Sequence, residues 1–297
     1  MDIQKLIDLG IIIITNGVNK FTNQTRLSEA FVYEALMELF KETDITSGKI
    51  SNNQKAEEFL STLEERVFMA LYRSGYGKAV TDFTTNFDLV SDNVINLNEA
   101  INKTNLQKKD INMVKRLEVK KTIQNLTEAG LYRDFIAPVR EGLYRNILFG
   151  STVSETEELI RSYVISKKDK DSRLLRYVGQ VATDSLHQYD GSLNQTIKNN
   201  LGLNGTQYVG SLVEDSRGQC RKWTSMEIIP DSQLQEEIDW AFKLQKEGKQ
   251  YAGGKVGGMI AGTNPSNFIV NRGGWRCRHR AIGVRITKLN QPKKPIE

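Results

Sequence analysis

The stretch NQKAEEFLSTLEERVFMALYRSGY, residues 53–76, decides the fold of the N-terminal part of the chain. Its apolar side chains recur at intervals of three and four residues, which places them on one face of an α-helix. These side chains are Phe59, Leu60, Leu63, Val67 and Leu71. Similar patterns run over residues 25–43, with Thr25 or Ser28 as the predicted N-cap, and over residues 110–139, where Pro138 predicts an end or a kink. No proline precedes residue 138, so helices are sterically allowed throughout this part.

Two more helices are predicted before the composition changes near Gly202. Residues 151–166 contain Ser154 and Glu157 at the spacing of a capping box, and residues 172–202 read as one long helix. Beyond Gly202 come a β-branched segment, one helical segment and a glycine-rich segment, at residues 206–214, 231–248 and 250–274. The sequence therefore predicts a mostly α fold. It consists of a long helical N-terminal body, residues 1–201, followed by a small α+β C-terminal module, residues 202–297.

The composition is that of a globular chain, with 39% hydrophobic and 26% charged residues. The net charge of +5 is concentrated at the C-terminus, where residues 272–297 contain eight Lys or Arg and a single acid. Two cysteines and the lack of a signal-peptide pattern favour synthesis in the cytoplasm. The most apolar run, residues 6–18, is interrupted by Asp8, Gly10 and Asn16 and is shorter than a membrane helix, so it predicts a buried or partner-facing segment.

The sequence predicts no catalytic residues and no cofactor. It contains no P-loop, no G-x-S-x-G and no H-E-x-x-H motif. Only two histidines are available for a triad, His187 and His279, and His187 lies within a predicted helix. The neighbouring carboxylates Glu236 and Glu237 lie on an amphipathic helix, where a solvated face accounts for them. We therefore expect a protein that is not an enzyme.

The two cysteines and a histidine are candidate metal ligands. Cys220, Cys277 and His279 offer three soft ligands for zinc, and Asp215 is a candidate fourth. The paired C-x-x-C spacing of a structural zinc site is missing, so the sequence favours buried free thiols and no bound metal. Zinc bound by these residues and a Cys220–Cys277 disulfide are the alternatives.

Three segments of the C-terminal module form a combined pattern. The first fits D-[ST]-R-x-x-C and consists of Asp215, Ser216, Arg217 and Cys220. The second is a G-T-N-x-S loop formed by Gly262, Thr263, Asn264 and Ser266. The third fits G-G-W-x-C-R-H and consists of Gly273, Gly274, Trp275, Cys277, Arg278 and His279. This pattern, over about a third of the chain, resembles the C-terminal signature of tailed-phage minor head proteins, the Mu F-like and SPP1-type head morphogenesis family.

The resemblance implies a structural and assembly protein of the virion. We expect a minor head protein at the portal vertex or in the head interior, in contact with portal or capsid proteins and present in multiple copies per particle. One alternative is a protein packaged inside the head that associates with double-stranded DNA through the basic C-terminus. A second alternative is a nuclease or toxin-like effector attached to a head-protein module.

The residues of the third segment have expected roles. Gly273 and Gly274 allow a sharp turn of a hairpin, which we expect to place Trp275 in the core of the module. Asp215 and Arg217 are expected to connect the first segment to this hairpin through a charge-assisted contact. Three arginines alternate along the segment, so they are expected to share one strand face that contacts DNA phosphates or an acidic partner. They are Arg276, Arg278 and Arg280.

Overall fold

The computed structural model describes residues 2–104, 106, 108–275, 277–287 and 290–294. The predicted fold class is confirmed: the chain is mostly α-helical, with a small sheet near the C-terminus. The helices are α1 (Ile3–Lys41), α2 (Gln54–Arg73), α3 (Tyr76–Thr84), α4 (Asn86–Asn102), α5 (Lys108–Leu126), α6 (Glu128–Leu131), α7 (Ala137–Leu148), α8 (Val153–Val164), α9 (Arg173–Asn200), α10 (Gly218–Met226), α11 (Asp231–Glu247) and α12 (Phe268–Asn271). The strands are β1 (Ile45–Thr46), β2 (Lys49–Ile50), β3 (Gly205–Val209), β4 (Ile228–Pro230) and β5 (Arg280–Val284).

The chain forms two compact units. Unit 1 consists of residues 1–15, 86–118 and 183–297, and unit 2 of residues 16–85 and 119–182. The predicted boundary between residues 201 and 202 lies inside unit 1. One reason is that Ile282 of β5 packs in one apolar cluster with Leu6 and Ile7 of α1 and Leu97 of α4.

Helices of unit 2 bury apolar stripes. On α2, Phe59, Leu63 and Val67 are buried, as their helical spacing predicts. Aromatic rings fill the space between helices, with centroids 4.9 Å apart for Phe21 and Phe83 and 6.0 Å apart for Phe21 and Tyr76. Such pairs add to the stabilisation that comes from burying their apolar area.

One buried carboxylate of unit 2 is hydrogen-bonded to residues of the same unit. Glu29 of α1 accepts hydrogen bonds from the backbone N–H and the hydroxyl of Ser166, at 3.0 and 2.7 Å, and from the hydroxyl of Ser172, at 2.7 Å. These donors precede α9, so the contact fixes the chain where that helix begins. A buried carboxylate with three donors is stabilised where it lies.

Two helix starts that the sequence predicts in unit 2 differ from those of the structure. Thr25 is not an N-cap, because α1 already begins at Ile3 and the Thr25 hydroxyl donates to the carbonyl of Phe21 at 3.0 Å. The capping box of α8 is formed by Thr152 and Glu155, two residues before the predicted pair. Thr152 has the extended backbone that an N-cap requires, and its hydroxyl accepts from the Glu155 N–H at 3.2 Å. Before Pro138, residues 132–136 form a π-helical turn, which interrupts the helical run.

The sheet of unit 1 has the order β4-β3-β5 and is antiparallel throughout. Tyr208 of the central strand β3 lies opposite Ala281 of β5. The sheet, α10, α11 and α12 enclose an apolar core, whose largest members include Tyr208, Trp223, Ile238 and Phe268. Trp223 and Phe268 meet edge to face with centroids 5.0 Å apart. None of the helices in the described part of the chain has the length and apolarity to span a membrane.

Candidate functional site

Both cysteines lie in the core of unit 1, next to the central strand. Cys220 is in the first turn of α10, which follows β3 after a short loop, and Cys277 lies just before β5. Because β5 pairs with β3, the two residues meet although 57 positions separate them. Their Sγ atoms are 3.9 Å apart, and both thiols are free.

His279 and Tyr208 complete a buried cluster with the two cysteines. The Nδ1 atom of His279 is 3.7 Å from the Sγ of Cys277. The hydroxyl of Tyr208 is 3.4 Å from the Sγ of Cys220 and 3.3 Å from that of Cys277. The Tyr208 and His279 rings stack with centroids 5.3 Å apart. All four side chains are buried, so they form a closed group of donors and acceptors inside the unit. We call these four residues the sulfur cluster.

The two thiols of the sulfur cluster titrate as a pair. The hydrogen bond between them lowers the pKa of Cys277 well below the usual thiol range, and the contact with His279 lowers it further. The same hydrogen bond and burial raise the pKa of Cys220 well above that range. Burial also raises the pKa of Tyr208 far above its ordinary value, so its phenol stays protonated.

Gly273 and Gly274 make the sulfur cluster sterically possible. A Cβ atom on Gly273 would meet the Sγ of Cys220, and it would lie 2.8 Å from the Tyr208 hydroxyl and 3.0 Å from the Sγ of Cys277. Gly274 has a φ of +99°, and a Cβ atom there would run into the carbonyl of Gly258. The first glycine is thus needed for close approach and the second for its left-handed backbone.

Arg217 connects the first motif segment to the third. It donates to the carbonyl of Gly273 at 2.8 Å and to the carbonyl of Trp275. The amide of Gln219, one residue before Cys220, donates to the same Gly273 carbonyl at 3.2 Å. Asp215 does not share this contact: its carboxylate is exposed, 3.5 Å from the Nζ of Lys255. Asp215 is therefore not placed to be a fourth ligand beside the cysteines.

Two expectations for the third segment are wrong. It does not form a hairpin, because the glycine pair is a turn between α12 and β5, and β5 pairs with β3. Trp275 is not in the core: 47% of its surface is exposed. The N–H of Trp275 donates to the carbonyl of Gly258 at 2.9 Å, and this turn directs the ring outward.

The predicted arginine face is also wrong in its central assumption. Arg280 is fully buried and forms an ion pair with Asp190 of α9, with Nη2 to Oδ1 at 2.6 Å and Nε to Oδ2 at 3.4 Å. The strand begins only at Arg280 and every residue of it is buried, so alternation along the sequence creates no exposed basic face. Arg278 is exposed, and Arg276 lies outside the described residues.

The other histidine of the chain, His187, also lies in unit 1 but is not part of the sulfur cluster. His187 of α9 is buried, and burial, followed by the charge of Arg272, lowers its pKa to about 3. Its backbone carbonyl accepts a hydrogen bond from the Arg272 guanidinium. His187 is therefore a neutral core histidine at physiological pH.

The sequence did not identify Tyr208, Gln219 or Asp190 as parts of this site. Tyr208 could have been identified, since it is an aromatic residue in the β-branched segment that leads to the first motif. No local sequence pattern identifies Asp190, because its partner Arg280 is 90 positions away. Comparisons of the chain with protein-family models, with curated proteins and with solved structures find no match.

Proposed function

We propose that the chain is a structural and assembly protein of a tailed-phage virion, a minor head protein that binds the portal or the inner capsid surface and has no catalytic role. The observation that carries this proposal is the contact between the motif segments on which the resemblance rests. Arg217 of the first segment binds the Gly273 and Trp275 carbonyls of the third, and Cys220 lies beside Cys277. Because the motif side chains contact each other inside the unit, the motif is suited to support a fold that presents a binding surface.

The loops beside the motif expose apolar side chains that favour a protein partner. Those side chains are Leu212, Val213, Val256 and Trp275. Trp275 and Val256 lie on neighbouring segments, because the Trp275 N–H binds Gly258. An exposed tryptophan with aliphatic neighbours is typical of a protein-binding surface, since such side chains gain most from being covered.

The DNA-associating alternative has less support from the charges. Arg280 is buried against Asp190 and is out of reach of a phosphate. Arg285 donates to the carbonyl of Leu201 at 3.1 Å, and Lys293 pairs with Glu227 at 2.5 Å. Three of the C-terminal basic side chains thus have partners within the chain. Arg278 remains as an exposed arginine of the predicted trio.

The test is complementation of particles made by the genome that encodes the chain, after deletion of the chain itself. Wild-type, Trp275→Ala, Arg278→Gln and Phe149→Ala chains are supplied in trans, and the amount of chain per purified head is measured by quantitative mass spectrometry. Phe149 is the control, because it is an exposed aromatic residue in unit 2. We expect wild type, Arg278→Gln and Phe149→Ala to enter heads equally and Trp275→Ala to enter heads at a reduced level.

The other results would separate the remaining functions. A loss confined to Arg278→Gln, together with salt-sensitive retention on packaged DNA, would favour the DNA-associating function. A wild-type chain that is absent from both empty and filled heads would overturn the proposal. Nuclease activity of the purified wild-type chain would favour the effector function.

A further inference from the structure

The sulfur and nitrogen atoms of Cys220, Cys277 and His279 converge in the sulfur cluster, and among the described residues the two sulfurs have hydrogen-bond partners only within it. The ligand atoms of Cys220, Cys277 and His279 all lie within 4.8 Å of one another, and all three residues are buried. The Nε2 atom of His279 has no hydrogen-bond partner among the described residues, and its Nδ1 atom contacts the sulfur of Cys277. Nδ1 has only this long contact with a thiol, and a buried imidazole nitrogen without a close polar partner is costly, so binding of a metal ion at Nδ1 would be favourable.

Two of the three distances between these ligand atoms match the edges of a tetrahedral zinc site, and the third, between the Cys220 sulfur and the His279 nitrogen, is within 4.8 Å. Zn–S bonds of about 2.3 Å and Zn–N bonds of about 2.0–2.1 Å at tetrahedral angles place two sulfurs about 3.8 Å apart and a sulfur and a nitrogen about 3.6 Å apart. The two sulfurs are 3.9 Å apart, and the Cys277 sulfur is 3.7 Å from the His279 Nδ1. A disulfide would need the sulfurs at about 2.05 Å, far closer than they are.

Tyr208 supplies an oxygen at the remaining corner. A zinc–oxygen bond of about 2.0–2.2 Å places that oxygen about 3.5–3.6 Å from each sulfur. The Tyr208 hydroxyl lies 3.4 and 3.3 Å from the two sulfurs. We propose that Cys220 Sγ, Cys277 Sγ and His279 Nδ1 bind one zinc ion in unit 1, with the Tyr208 oxygen completing the tetrahedron.

Charge balance suits a buried site. In the zinc-bound state both cysteines are thiolates, and the two thiolates neutralise the ion while the imidazole and the phenol stay neutral. The complete centre has no net charge, so its burial carries no Born penalty for an isolated ion.

The role of this zinc ion is structural. Four protein atoms close the coordination sphere, whereas a catalytic zinc keeps one position for water or substrate. The ion connects the first turn of α10 with the segment that enters β5, which are the two segments that Arg217 also connects. The inference does not depend on the virion function, because the site would bind zinc in the purified chain.

The experiment measures zinc in the full chain, expressed with added zinc and purified without chelator. Elemental analysis is expected to give one zinc per wild-type chain and a clear loss in Cys220→Ser, Cys277→Ser and His279→Gln. His187→Gln is the matched control, because His187 is a buried histidine of the same unit that is not a proposed ligand, and it should keep its zinc. Tyr208→Phe should bind zinc with about tenfold or more weaker affinity.

Substitution of a ligand can prevent folding, so a second measurement uses the wild-type chain alone. Apoprotein titrated with cobalt(II) is expected to develop the visible bands of a tetrahedral site and a thiolate-to-cobalt charge-transfer band, both saturating at one equivalent. The inference is overturned if wild type contains almost no zinc and gives only the weak spectrum of octahedral cobalt. It is equally overturned if mass analysis without reductant finds a Cys220–Cys277 disulfide, or if the ligand variants keep their zinc.

Discussion

The buried face of α2 in unit 2 and the segment around β5 in unit 1 bury different kinds of side chain. In unit 2, the buried face of α2 consists of Phe59, Leu63 and Val67, and neighbouring helices meet through aromatic rings. In unit 1, the strand β5 begins with a fully buried arginine, and the segment before it ends in the sulfur cluster. Apolar packing tolerates small changes of shape, whereas a buried polar contact depends on each partner being present. The two units should therefore respond differently to single substitutions.

The largest effect is expected in unit 1 from removing one partner of the buried ion pair. Asp190→Ala leaves the Arg280 guanidinium buried without a counter-charge, which should destabilise unit 1 by about 3–5 kcal/mol. All three tryptophans of the chain are in unit 1, so urea unfolding followed by tryptophan fluorescence reports this unit. Glu141→Ala, which breaks the exposed pair with Arg145 in unit 2, is the control and should leave the transition in place. Equal shifts for both variants would contradict the importance of the buried pair.

A packing defect in unit 2 should have a smaller effect, and a different probe should detect it. Leu63→Ala removes a fully buried side chain from the apolar stripe of α2 and should cost about 3 kcal/mol. Far-ultraviolet circular dichroism is expected to show earlier helix unfolding while the tryptophan transition stays close to that of wild type. Tyr72→Ala, at an exposed position of the same helix, should change neither signal. If the tryptophan transition shifted as much as the helix transition, the expected difference between the units would be contradicted.

Within unit 1, the stability lost on removing a tryptophan should depend on how deeply its side chain is buried. Trp275→Ala should cost only about 1 kcal/mol, because roughly half of the side chain is already exposed. Trp223→Ala, at a fully buried site with a hydrogen bond to Glu237, is the comparison and should cost about 3–5 kcal/mol. Urea midpoints followed by circular dichroism measure both. If Trp275→Ala were as damaging as Trp223→Ala, the exposed position of Trp275 would be incorrect.

The smallest effect concerns the start of α8 in unit 2. Thr152→Ala removes the N-cap oxygen and should cost about 1 kcal/mol, measured by thermal unfolding. Ser154→Ala is the matched control, because the sequence pattern places a cap there but Ser154 lies inside the helix, so its loss should cost much less. A larger effect at Ser154 than at Thr152 would restore the sequence-based interpretation.

The same contrast explains how much of the fold the sequence predicts. Helical periodicity identified α2, α9 and α11, because a helix that buries one face repeats that face every three to four residues. Periodicity does not fix where a helix begins. The start of α8 was predicted two residues too late, since Ser154 with Glu157 and Thr152 with Glu155 both have the spacing of a capping box. The long reach of α1 was missed because its polar positions, such as Thr25 and Glu29, are satisfied by contacts within unit 2.

The candidate site was predicted less well, for two physical reasons. The alternation of Arg276, Arg278 and Arg280 has meaning only along a strand with one exposed face, and β5 is buried on both faces. The sulfur cluster unites residues 57 positions apart, while metal motifs are recognised from ligands a few residues apart. Predicting either feature needs the pairing of β3 with β5, which local sequence patterns do not contain.

Hydrogen exchange in Gly273→Ala tests most directly whether the C-terminal loops of unit 1 depend on the sulfur cluster. The added Cβ would meet the Cys220 sulfur and crowd the Tyr208 hydroxyl, with or without a metal ion. We predict that amides of residues 205–287 lose protection while amides of residues 16–85 and 119–182 exchange as in wild type. Unchanged protection in residues 205–287, or an equal loss in both units, would contradict the account.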